Sequence, residues 1–106
     1  MAVSPLTANS IDFTTYTVTA PGTAQQFPNI HIPDGFSVVI KNRLSNAGNL
    51  FLANTSSDAS SSTGDRKTLE PGESVTLQIA NLNLLWRDAD SAVDRFEVTL
   101  LQATVI

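Results

Sequence analysis

The chain has no cysteine, which removes disulfides, thiol nucleophiles and thiolate metal ligands from consideration. Its stability must come from burial and hydrogen bonding alone. It holds a single histidine, and its five glycines are scattered at turns rather than gathered into a phosphate-cradling loop. Basic residues are also scarce: six Lys and Arg stand against ten Asp and Glu, a formal charge of −4. The only basic cluster, Arg66-Lys67, is too short to neutralise a phosphate backbone, so no nucleic-acid partner is expected. No apolar run approaches the ~20 residues that span a bilayer, and no membrane partner is expected. Met1 to Asp12 lacks a basic segment followed by an apolar one. No secretory leader is therefore expected, and the product should be soluble and, in the cell that makes it, cytoplasmic.

What is present suits one folded domain. A length of 106 residues allows one core and no second. An apolar fraction of 42% is near the average for globular chains. Met1 to Ser10 is rich in Ser, Thr, Asn and Ala without a periodic apolar face, so residues 1–12 read as a flexible N-terminal arm and residues 13–106 as the domain. From Phe13 the pattern becomes that of strands. Tyr16 and Val18 alternate with Thr15, Thr17 and Thr19 as far as a turn at Pro21-Gly22. Pro28 and Pro33 flank Ile30-His31-Ile32, which reads as a short edge strand or an extended crossover. Phe36, Val38 and Ile40 give the inward face of a strong strand. The polar turn Ser45 to Asn49 and the strand Leu50 to Ala53 should complete a hairpin with it.

Asn54 to Lys67 carries no large apolar side chain, so nothing in its composition repays ordering, and a long exposed loop is expected. After the Pro71-Gly72 turn, Val75, Leu77 and Ile79 alternate with Ser74, Thr76 and Gln78. A second run places Leu82, Leu84 and Trp86 on one parity, expected inward, and Leu85 on the other. The last strand, Phe96 to Gln102, turns Phe96, Val98 and Leu100 inward. No segment of ten or more residues has helical spacing. The expected fold is all-β: a small antiparallel β-sandwich, or jelly-roll-like barrel, of about six to eight strands. Leu77 and Val98 are expected in its core.

Candidate chemistry is thin. A triad or a zinc site needs His with held partners, and His31 lies on the wet parity of an edge segment. Asp88, Asp90 and Asp94 are close in sequence. Their spacing lacks the glycine and the bidentate Glu of an EF-hand, and Arg87 and Arg95 flank them, so a solvated hairpin turn is expected. Glu70 and Glu73 bracket a turn instead of facing each other across a cleft. No enzyme activity, cofactor or metal site is expected. Trp86 reads as core by parity, although tryptophan also lines sugar- and protein-binding surfaces. The outward apolar residues Phe51, Leu85 and Leu101, with Val105 and Ile106 near the end, form the candidate partner interface.

Four motifs carry a family resemblance: Gly35-Phe36-x-Val38-Val39-Ile40-Lys41, Asn46-x-Gly48-Asn49-Leu50-Phe51-Leu52-Ala53-Asn54, Leu69-x-Pro71-Gly72-Glu73-Ser74-Val75 and Asn81-Leu82-x-x-Leu85-Trp86. The block from Phe36 to Asp90 resembles small virion proteins encoded by tailed bacteriophages. It departs from them at Asn54, where similar proteins often carry glycine, and in its longer Ser-rich loop. The resemblance implies a jelly-roll-like sandwich that binds the outside of an assembled particle, as head decoration or cement proteins do. The major capsid protein would be its partner, a trimer its favoured state, and the capsid surface its location after assembly in the host cytoplasm. The arm would then order along a capsid subunit or a neighbouring copy. Another reading of the same resemblance is a receptor- or carbohydrate-binding module of a tail fibre or baseplate, using the Ser-rich loop and Trp86. A minor structural protein of the tail or neck is a further one.

Overall fold

A computed structural model describes residues 11–92 and 94–102. It contains eight strands, β1 (Ile11–Thr17), β2 (Gln25–Gln26), β3 (Phe36–Asn42), β4 (Leu50–Ala53), β5 (Lys67–Leu69), β6 (Ser74–Leu77), β7 (Trp86–Ala89) and β8 (Arg95–Gln102), with one short helix, α1 (Ser56–Ser60). They form two antiparallel four-stranded sheets, ordered β1-β8-β3-β6 (sheet A) and β2-β7-β4-β5 (sheet B). This eight-stranded double sheet is a β-sandwich with the strand order of a jelly roll. β1 begins at Ile11, two residues inside the stretch assigned to the arm.

Six of the seven connections between successive strands pass from one sheet to the other; only β4 and β5 are a hairpin within a sheet. The expected hairpin of β3 and β4 is therefore a corner between sheets. Strand β3 has both its edges taken, by β6 and β8, so β4 has no place beside it. The corner is held by Asn42, whose fully buried side-chain amide donates to the carbonyls of Gly48 at 3.0 Å and Leu69 at 2.8 Å. A buried amide is tolerable only when its donors are satisfied in this way. Three turns use glycine with positive φ, Gly22, Gly35 and Gly72, each following a Pro or Asp that favours a turn.

The core lies between the sheets. Val38 and Ile40 from β3, Phe96 and Val98 from β8, Leu50 and Leu52 from β4, and Leu69, Leu82 and Phe27 fill it. Phe27 stands edge-on to both Tyr16 and Phe96, with ring centroids 5.2 and 5.9 Å apart, an arrangement that aromatic quadrupoles favour. Val98 is core, as its parity requires; Leu77 is half-buried at the margin with Val75 and Ile79.

The run Leu82 to Trp86 departs from strand parity. Leu82–Leu84 is a 3-10 turn capped by Asn81, whose Oδ1 accepts from the Asn83 N–H and whose Nδ2 donates to Asn29 Oδ1. Three residues per turn set Leu82 and Leu85 on one side, so Leu85 is buried and Leu84 is 51% exposed. The expected assignment of Leu84 inward and Leu85 outward is reversed. Trp86 then opens β7 facing away from the core, because Arg87 and Ala89 take the inward parity.

Truncating a core side chain should cost far more than truncating a marginal one. Phe96→Ala is expected to lose about 3–5 kcal/mol and Leu77→Ala less than about 2 kcal/mol, read from urea denaturation midpoints. Equal losses would contradict the placement of Leu77 at the margin.

Candidate functional site

The acidic stretch is the first place to look for chemistry, and its carboxylates are already engaged by backbone. Asp94 is buried and accepts from the Ala47 N–H at 3.1 Å and the Gly48 N–H at 2.9 Å. Asp90 accepts from the Asn49 N–H at 3.2 Å. Asp88, also buried, accepts from the Gly22 N–H at 3.0 Å and the Ala89 N–H at 2.8 Å. The expected solvated hairpin is corrected on both counts: β7 and β8 lie in different sheets, and two of the three aspartates are inside the protein. Each carboxylate ties a loop to a strand end, and among the described residues no group of three His, Cys, Asp or Glu is placed to hold a metal ion.

The remaining polar candidates follow the same logic. Glu73 Oε1 accepts from the Glu70 N–H at 2.7 Å and so closes the Pro71-Gly72 turn. His31 is exposed and its backbone bridges to Asn81. Arg87 is buried, with Nε donating to the Thr17 carbonyl at 3.1 Å and Nη1 to the Gln26 carbonyl at 2.9 Å. Its guanidinium lies 4.7 Å from the Phe27 ring and 5.3 Å from that of Tyr16. Burial lowers its pKa from the ordinary value, against an opposing pull from the Tyr16 phenol. An arginine starts so far above neutrality that it stays charged. It pins the end of β1 and β2 to the core.

The outer faces of the two sheets differ, and this difference is the main surface feature. On sheet B, outward Phe51 is buried beneath the segment after β4. That segment is not a structureless loop. Thr55 caps α1 by accepting from the Asp58 N–H at 3.2 Å, and Asp58 sits in the first turn, where a negative charge suits the helix dipole. Ala59 is fully buried, and Gly64 approaches the Asp58 backbone so closely that a Cβ would come within 2.6 Å of it. Arg66 Nη1 then donates to the Ala59 carbonyl at 3.0 Å, and its guanidinium lies 3.5 Å over the Phe51 ring. Ordering is repaid by one methyl group, one glycine contact and one arginine, none of which is a large apolar residue.

Sheet A carries no such cover among the described residues. Val39, Leu101, Ser37 and Thr99 are half-buried on its outer face, and Thr15 and Thr76 are exposed. The register places Leu101 opposite Ser37, and Thr99 opposite Val39. Charge is confined to one end, where Arg43 Nε pairs with Glu97 Oε2 at 2.8 Å. Beside that pair, Leu44 is 79% exposed and, with Lys41 and Ser45, borders an open hollow of about 440 Å³. Of the candidate interface residues, Leu101 lies on this bare face. Phe51 and Leu85 are buried within the protein, the first under Arg66 and the second in the core. Val105 and Ile106 lie outside the described residues. Val39 and Leu44 were not singled out from the sequence; Val39 sits between two core residues, where strict alternation marks it as outward.

A groove of about 230 Å³ opens along the margin where β5 and β6 lie, lined by Leu52, Val75, Leu77, Leu85, Asp65 and Lys67. Comparison with family models, with curated proteins and with solved structures finds no match to this chain.

Removing the arginine that roofs sheet B tests the account of that face. Arg66→Ala is expected to cost about 1–2 kcal/mol, from the lost cation–π contact and charged hydrogen bond, and to speed amide exchange at Ala59. Unchanged exchange at Ala59 would show that α1 is held by something else.

Proposed function

We propose that this chain is a structural virion protein that binds the outer surface of an assembled tailed-phage capsid and stabilises it. Its partner is the major capsid protein, and it works without catalysis or cofactor. The observation that carries the reading is the outer face of sheet A, uncovered among the described residues and charged at one end, set against a sheet B whose outward Phe51 is covered by Arg66 and the α1 segment. The Val, Leu, Thr and Ser side chains away from that charged end desolvate cheaply against another protein. The resemblance of the Phe36 to Asp90 block to phage virion proteins supplies the identity of the partner. Cementing follows from mass action: a protein that binds only the assembled lattice favours that lattice in proportion to its occupancy.

One observation favours a second reading. Trp86 is half-buried on the outer face of sheet B, in register with Gln26 and Ala53, and the Ser-rich segment that forms α1 follows directly after Ala53. An aromatic ring among hydroxyl and amide groups suits a sugar, as in a tail-borne receptor-binding module. Quenching of tryptophan fluorescence by host surface glycans would support that alternative.

The capsid reading is tested by sedimenting the purified protein with separated heads and tails of the phage that encodes it. Val39→Lys and Leu101→Glu are each expected to leave the fold intact and to lower occupancy on heads at least ~10-fold, since burying an unpaired charge costs more than ~1.4 kcal/mol. Binding to tails alone, or full head occupancy by both variants, would overturn it.

A further inference from the structure

Sheet A has two edge strands, β1 and β6, and sheet B has β2 and β5. Exposed edges invite pairing with another chain, and proteins blunt them with charge, proline or brevity. Strand β5 carries Lys67 and is flanked by Asp65, Arg66 and Glu70, β2 is two residues long, and β1 includes Asp12. Strand β6, four residues long and preceded by Pro71 and Glu73, carries no charge or proline itself: from Ser74 to Ala80 the chain is Ser-Val-Thr-Leu-Gln-Ile-Ala.

Its hydrogen-bonding geometry leaves that edge open. The Asn42 N–H donates to the Glu73 carbonyl at 2.9 Å, and the register sets Ile40 opposite Val75 and Val38 opposite Leu77. By the alternation of an antiparallel ladder, Val75 and Leu77 bond to β3, while the N–H and C=O groups of Ser74 and Thr76 point away from it. No hydrogen bond reaches those outward groups among the described residues. On the inner face of the same strand, Val75 and Leu77 are only half-buried and line the groove between β5 and β6.

We infer that β6 is the site of self-association, pairing antiparallel with β6 of a second copy across a two-fold axis at Thr76. In that register Thr76 faces its own counterpart, Val75 faces the second copy's Leu77, and Ser74 faces its Gln78. Apolar residues meet apolar residues on the inner face and polar residues meet polar ones on the outer face, so the edge is complementary to itself. No charge opposes a like charge anywhere between Ser74 and Ala80. The two copies of sheet A become one eight-stranded sheet, and the half-exposed Val75 and Leu77 gain cover from the second copy. The assembly is a two-fold dimer, in place of the trimer that the family resemblance implies, and it does not depend on the capsid reading, which uses the outer face of the sheet.

The test is the mass of the full chain in solution, by sedimentation velocity from about 1 to 200 μM. The native chain is expected to reach twice its 11.3 kDa mass. Thr76→Pro removes an N–H that β3 does not use, and Thr76→Lys sets two like charges across the axis on an exposed position; both should remain folded by circular dichroism and weaken dimerisation at least 30-fold. Thr76→Val, which keeps the backbone groups, should remain dimeric. A native chain that stays monomeric or forms trimers at 200 μM would overturn the inference, and so would a dimer that survives both disruptive substitutions.

Discussion

Strand β8 is the element on which the sandwich depends. It is the last described strand, yet it lies inside sheet A, with β1 on one edge and β3 on the other, seven residues paired on each side. The sheet therefore has no continuous ladder until the two ends of the domain meet. The entropy of closing that loop is spent before the ladder returns anything, and Phe96 and Val98 of β8 add to the core once it has closed. Sheet B follows, because six of the seven connections cross between the sheets and neither can form alone.

Those crossings would strand backbone groups at every corner were it not for a small set of buried polar side chains. Asn42, Asp88, Asp94 and Arg87 are all buried, and each makes hydrogen bonds to main-chain groups of other segments, with Asn42 Oδ1 also accepting from the Asn46 side chain. Among the described residues no buried side-chain nitrogen or oxygen lacks a partner. The result resembles an active site in composition, with carboxylates, an amide and a guanidinium in the interior. It differs in arrangement, because these groups are engaged by main chain or, at Asn42 Oδ1, by the Asn46 side chain. Residues that look catalytic in a list are here the fasteners of the corners.

Much of this was legible in the sequence, and the parts that were not share a cause. Alternation located β3, β6 and β8, and Pro-Gly pairs marked two turns, at Gly22 and Gly72, whose glycines have positive φ. Parity also placed Phe51 and Leu101 outward correctly. It could not show that Phe51 would be roofed, because the roof is Arg66, a residue that reads as solvated charge until a ring lies beneath it. The same blindness hid α1, whose order rests on Ala59 and Gly64 rather than on a hydrophobic face. At Leu82 to Trp86 a period of three replaced a period of two, which moved Leu85 into the core, Leu84 onto the surface and Trp86 onto the outer face of sheet B. The candidate site was half readable: Leu101 by alternation, but not that the outer face of sheet A is uncovered among the described residues.

The helix between β4 and β5 has an effect larger than its five residues suggest. A sandwich with both sheet faces uncovered offers two surfaces on which another molecule could dock. With α1 over part of sheet B, the outer face of sheet A is the one that no helix covers among the described residues. On the proposed capsid role, such an asymmetry would favour a single layer of bound copies, with the amount bound counted by the surface beneath.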